Sequence, residues 1–186
     1  ISVADQEAVV LEKELTQELK PSAQKPPVIS NVGLPDIWVT GDSVILGIRY
    51  ELGDLRTIGL INARVGRQAP ELLEVLQRDK LSVGDAPIIF NLGNNNTLTR
   101  TQVADVFTEV ANQSQIIVVN TAVPRPWRDA NNALIAEYAA ANPRARVVDW
   151  ATISQNHPEY FAPDGVHLRP AGITVYVAAI MEALSK

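Results

Sequence analysis

From Pro35 onward, short apolar runs rich in β-branched residues alternate with stretches whose apolar positions recur at helical spacing. The runs are DIWVT (36–40), TIGLINA (57–63), PIIFNLG (87–93), SQIIVVNT (114–121) and ARVVDWA (145–151). The helical stretches fall near 44–52, 68–80, 99–113, 127–142 and 170–185. This alternation predicts βαβ units. Ile88–Phe90 and Ile116–Val119 are apolar at every position, the pattern of parallel strands covered on both faces by helices. The expected fold is an α/β, doubly wound, flavodoxin-like sandwich with a central parallel sheet of about five strands over residues 35–186. Ahead of it, residues 4–20 carry apolar positions at helical spacing and break at Pro21 and at Lys25–Pro27. Residues 1–34 are therefore expected to form a stalk or linker with a short helix.

Composition narrows the function classes. A length of 186 residues fits one core, and 46% hydrophobic with 20% charged residues is ordinary for a globular domain. A net charge of -5 leaves no basic stripe for phosphates, so no nucleic-acid partner is expected. The chain has no cysteine and 2 histidines, which cannot supply a typical structural zinc site. No apolar run approaches the roughly 20 residues needed to span a bilayer. Ile1 in place of an initiator Met fits a segment of a longer protein.

In doubly wound sheets, ligands bind beyond the carboxyl ends of the strands, so the residues just after each strand carry the chemistry. Here these are Gly41-Asp42-Ser43, the Asn62–Gln68 loop with Gly66, Gly93-Asn94-Asn95-Asn96 and Asn120-Thr121. The last long loop ends in Asp164-Gly165-Val166-His167. A serine hydroxyl becomes a nucleophile when an imidazole takes its proton and a carboxylate orients that imidazole. Ser43, His167 and Asp164 can fill those roles. The backbone N–H groups of Ser43 and Gly66 and the amide of Asn95 are candidate oxyanion donors. Each feature also has a plain alternative: Ser43 as a helix cap, Asp164-Gly165 as a tight turn, Gly66 as a turn glycine, the asparagines as a polar loop. Their co-occurrence, each at a strand end or in the last loop, favours one site.

These residues resemble the four blocks of the SGNH, or GDSL-like, hydrolase superfamily: GDSV with Ser43, NARVGRQ with Gly66, NLGNNN with Asn95, and DGVHL with Asp164 and His167. The surrounding ARVGRQ, NTAVPRPW and DGVHLRPAG resemble the extracellular C-terminal catalytic domain of Gram-positive peptidoglycan O-acetyltransferases. The resemblance implies a serine-dependent acyltransferase. Ser43 would carry acetyl, and His167, oriented by Asp164, would deprotonate first the serine and then the C6 hydroxyl of an N-acetylmuramoyl residue. It implies no metal and no organic cofactor. The acetyl donor would be delivered by an N-terminal membrane acyltransferase domain of the same full-length protein, and the domain would be tethered at the cell surface. The superfamily usually ends its third block in Asp where this chain has Asn96, which leaves the donor's register open among Asn94, Asn95 and Asn96. Arg67, Gln68 and Trp127 are further candidates for substrate contact, with helix opening and loop packing as their alternatives. His157 competes with His167 as base but lacks a carboxylate at the preceding spacing. The competing functions are an esterase of the same type, a glycan-binding module and a nucleotide binder; the last lacks a Gly-x-Gly-x-x-Gly or Walker loop.

Overall fold

The computed structural model describes Gly33–Lys186. The helix expected over 4–20 and its linker lie outside the described residues. The elements follow the expected alternation: β1 (Ile37–Gly41), α1 (Ser43–Leu55), β2 (Ile58–Ala63), α2 (Ala69–Val83), β3 (Ile88–Asn91), α3 (Arg100–Glu109), β4 (Ile116–Val119), α4 (Arg128–Ala140), β5 (Ala145–Val148), α5 (Trp150–Ile153) and α6 (Pro170–Leu184), with a 3-10 turn at Pro158–Tyr160. All pairings are parallel, in the order β2-β1-β3-β4-β5. The chain thus steps from β1 outward to β2, then back across β1 to β3. The crevice between β1 and β3 is the switch point, and Ser43 opens the helix that leaves it.

Side-chain alternation distributes the strands between two cores. Ile37, Val39, Ile89, Ile117 and Val119 face α1 and α6, while Trp38, Ile88, Phe90, Ile116 and Val118 face α2, α3 and α4. β1, β3 and β4 are buried at every position, as their unbroken apolar runs require. β2, at the edge, is only partly buried.

The ARVVDWA run departs from expectation after Val148. The Asp149 carboxylate accepts the Thr152 N–H (3.2 Å) and hydroxyl (2.7 Å), starting the four-residue α5 instead of prolonging the strand. Trp150 is thereby turned into the core against Tyr176 (ring centroids 4.9 Å apart), Phe161 (5.9 Å) and Tyr160 (6.0 Å). This aromatic cluster underlies the loop that carries Asp164 and His167. Among the described residues no helix is long and apolar enough to cross a membrane.

At the end of β1, Gly41 has φ +150, and a Cβ there would meet Asn91 Oδ1 at 2.1 Å and Ile45 Cγ1 at 2.7 Å. A methyl group would have to displace a side chain at the switch point as well as strain the backbone. Gly41→Ala is expected to destabilise the domain by about 1–3 kcal/mol, measured by denaturant unfolding followed through tryptophan fluorescence.

Candidate active site

Asp42, not Ser43, caps α1. Its Oδ1 accepts the Val44 N–H at 2.9 Å, leaving Ser43 as the first helical residue with its side chain free of capping. Asp42 is 4% exposed and collects three amides besides: Asn91 Nδ2 donates to Oδ1 (2.7 Å), while Asn94 Nδ2 (2.9 Å) and Asn95 Nδ2 (3.1 Å) donate to Oδ2. Asn91 Oδ1 in turn accepts the Asp42 N–H at 3.0 Å. The helix N-terminus further stabilises this buried negative charge. In the core below, burial first and the Asp42 charge second push the Tyr176 phenol well above its ordinary range.

Ser43 Oγ lies 3.0 Å from His167 Nε2, and His167 Nδ1 lies 2.5 Å from Asp164 Oδ2. With Nδ1 donating to the carboxylate, Nε2 is free to accept the serine proton. Asp164 Oδ1 also accepts the N–H groups of Val166 (2.8 Å) and His167 (3.0 Å). Burial alone would raise the Asp164 pKa, but the bonds from the His167 ring and these two N–H groups together hold the carboxyl below its ordinary value. The loop itself is a small hairpin. Phe161 bridges Leu168, Ala162 N–H donates to His167 O (2.8 Å), and Gly165 N–H closes a turn on Ala162 O (2.9 Å). Asp164-Gly165 is therefore a tight turn that also sets the Asp164 carboxylate against the His167 ring.

Neither the Ser43 nor the Gly66 N–H is taken by an acceptor among the described residues, and Gly66 turns the chain at φ +73. The three asparagines part company. Asn96 Nδ2 turns away to Thr97 O (2.9 Å), Asn94 rests on Asp42 alone, and Asn95 Nδ2 bridges Asp42 and the Arg67 carbonyl (3.1 Å). Of the three, Asn95 therefore abuts the Gly66 loop, and donating to an oxyanion would mean exchanging one of those two bonds.

The expected substrate contacts fare differently. Arg67 is 9% exposed and its guanidinium is spent on strand-end oxygens, so the sugar contact expected of it is replaced by an inward one. Gln68 is exposed at the start of α2, with its N–H on Glu71 Oε2 (3.1 Å), and its side chain is open to the loop face. Trp127 precedes α4 half-buried, with an indole N–H that is buried and unpartnered, which fits packing beneath the PRPW segment. His157 pairs with Glu159 (2.7 Å) and stacks on Tyr160 (4.5 Å), engaged away from Ser43. Next to Val44, the residue after the serine, is a shallow depression whose wall combines apolar side chains such as Trp150, Phe161 and Val166 with the polar Asn94 and Asn120. Among the described residues no group of three or more His, Asp or Glu side chains could hold a metal. Asp42 and Asn91 were not foreseen as part of the site. The signal for Asp42 was its residue type at a helix start.

No protein-family model matches the chain. The peptidoglycan O-acetyltransferase OatA of Listeria monocytogenes is 37% identical over 147 residues, 78% of this chain and 23% of that protein. YrhL of Bacillus subtilis is 35% identical over 150 residues, 80% of this chain and 24% of that protein. In structure, the C-terminal catalytic domain of Streptococcus pneumoniae peptidoglycan O-acetyltransferase A matches with TM-score 0.69 at 21% identity, over 81% of this chain and 93% of that one. A GDSL-like lipase from Bacteroides thetaiotaomicron matches with TM-score 0.64 at 18% identity, over 94% and 95%. The chain has the SGNH hydrolase fold and is a relative of the peptidoglycan O-acetyltransferases. It spans about a quarter of the length of the curated relatives.

Each Asp42 oxygen accepts from two donors, so an amide in its place would set an NH₂ group against two others. Asp42→Asn is expected to destabilise the domain by about 1–3 kcal/mol and to loosen Asn94 and Asn95, measured by urea unfolding together with side-chain amide NMR. A second expectation concerns acid. Because the folded Asp164 pKa is depressed, its contribution to stability is complete above the unfolded value near pH 4 and lost as pH falls through the folded one. The stability gap between wild type and Asp164→Asn should therefore be present at about pH 6 and shrink below about pH 4, in urea titrations at both pH values.

Proposed function

We propose that this domain transfers acetyl groups to peptidoglycan through an acetyl-Ser43 intermediate. The observation that carries the reading is the Asp164–His167–Ser43 chain of contacts, ending beside two unengaged N–H groups. Ser43 Oγ attacks the acetyl carbonyl carbon as its proton passes to His167 Nε2. The oxyanion is met by the N–H groups of Ser43 and Gly66 and by Asn95. Collapse breaks the bond to the donor's alcohol, which leaves with the proton from His167. The C6 hydroxyl of an N-acetylmuramoyl residue then gives its proton to His167 and attacks the acetyl-serine, and collapse returns the proton to Ser43. Asp164 keeps the imidazole oriented and stabilises its cationic form throughout.

The acceptor class follows that of the Listeria relative, a peptidoglycan O-acetyltransferase. Its greater length leaves room for a further domain, which in this reading is the membrane acyltransferase that supplies acetyl while the present domain works outside the cell, facing the wall. Gln68 extends the acceptor side. A second reading, hydrolysis of acyl esters, is favoured by the side-chain exposure of His167 (50%) and Asp164 (48%), which leaves the base open to water.

Incubation with an aryl acetate, followed by intact-mass spectrometry, is expected to show one acetyl on Ser43 that moves to added muroglycan faster than to water. Release to water alone would select the esterase. Ser43→Ala, folded by circular dichroism, is expected to lose acetylation and turnover altogether; substantial residual turnover would overturn the assignment.

A further inference from the structure

The Gly66 loop is held in place by one buried cation. Arg67 Nη1 donates to Gly41 O (3.1 Å), to Thr40 Oγ1 (3.4 Å) and to Asn62 O, while Nη2 donates to Asn62 Oδ1 (2.8 Å). The Asn62 side chain continues the chain of bonds, its Nδ2 donating to Asp79 Oδ2 (2.7 Å) on α2. Asp79 is 8% exposed and is also paired with Arg78 Nε (2.8 Å). Thr40 donates its hydroxyl to the Asn62 carbonyl (2.8 Å), closing a ring of bonds around the ends of β1 and β2. On the other side, the main-chain carbonyl of Arg67 receives Asn95 Nδ2. A single residue thus ties the loop bearing the Gly66 N–H to the strand end that leads into Asp42-Ser43, and to the amide of Asn95.

We propose that Arg67 is a positioning residue that fixes the Gly66 N–H and the Asn95 amide as one unit relative to Ser43. This rests on the reading of Ser43 as the acetyl carrier. Transition-state stabilisation by fixed donors depends on placement, and a displacement of about 1 Å can cost about 10²-fold in rate. The task suits arginine. Its acceptors, Gly41 O, Thr40 Oγ1 and the two Asn62 oxygens, lie around one buried, planar head group, which a lysine ammonium cannot span in the same fork. Arg67 would touch neither donor nor acceptor, so its loss should act on the chemical step more than on substrate binding.

The test compares wild type, Arg67→Lys, Arg67→Ala and Asp79→Asn with an aryl acetate. Arg67→Ala is expected to lower kcat by about 10–10²-fold with KM within about twofold and an unchanged pH profile. Methylguanidine should restore part of that loss, and Arg67→Lys should recover less than rescued Arg67→Ala. Asp79→Asn, remote from the reacting atoms, is expected to lower kcat several-fold if the relay through Asn62 sets the loop. Should Arg67→Ala fail to fold, Arg67→Lys and Asp79→Asn carry the comparison. Wild-type kcat in Arg67→Lys and Asp79→Asn would overturn the proposal, as would a loss not rescued by guanidine and matched by global unfolding. A readout independent of turnover separates this from failure of the function itself. In the folded variants, the Gly66 amide and Asn95 side-chain resonances should shift while the His167 ring resonances stay in place; unmoved Gly66 and Asn95 signals would reject the positioning role even if the wild type proved inert toward esters.

Discussion

The site depends on a buried carboxylate to which no cation among the described residues is bonded. Asp42 is satisfied by one backbone N–H of α1 and three asparagine amides, an arrangement that works because ionised acceptors make the stronger hydrogen bonds and because the helix N-terminus favours negative charge. Those bonds settle three things together. α1 starts at Ser43 and not a residue later, the end of β3 is pinned to the end of β1 through Asn91, and the Gly93–Asn96 loop is drawn over the switch point. Gly41 is what lets the two strand ends come so close. The serine is therefore placed by the cap that precedes it.

The base arrives from the opposite flank of the sheet and is stabilised separately. Asp164 and His167 sit on a small hairpin between the 3-10 turn and α6, resting on an aromatic cluster centred on Trp150. Apart from the bonds between them and to Ser43, their ties among the described residues are main-chain bonds and apolar packing, with no polar partner shared with Asp42 or Arg67. Ser43 with the asparagine block and the Asp164–His167 hairpin are thus two units that meet at a 3.0 Å contact between Ser43 and His167. Small shifts of either unit would be felt at that contact before they were felt in the fold.

Much of this was legible in the chain. Continuous apolar runs identified β3 and β4 because parallel strands bury both faces, and Gly-Asp-Ser, the asparagine block and Asp-x-x-His lay at strand ends or in the last loop, as the sheet topology demands. What escaped was set by contacts distant in sequence. Arg67 follows a turn glycine and reads as an outward side chain; the ends of β1 and β2, which bring Gly41 and Thr40 beside Asn62, supply the acceptors that draw it inward. The three asparagines have identical chemistry, and only the carbonyl of Arg67, 28 positions before Asn95, distinguishes that one from its neighbours. The end of β5 was misjudged because Trp150 reads equally well as a strand residue or a core helix residue, and the deciding bonds come from Asp149 and Thr152.

The open base bears on how an acetyl-serine here could be spared from water. His167 and Asp164 are half exposed among the described residues, which does not favour desolvation as the main protection. Exposure also leaves the imidazole within reach of a hydroxyl on a bulky polymer that could not enter a closed pocket. Discrimination then rests on positioning. A sugar hydroxyl held in line with the acetyl carbon reacts with an effective molarity that can reach about 10⁵–10⁸ M, beyond what any solvent supplies at its own concentration. Under the proposed reading, this exposure is compatible with transfer where an acceptor is bound along the strand-end face, and with hydrolysis where that face is empty.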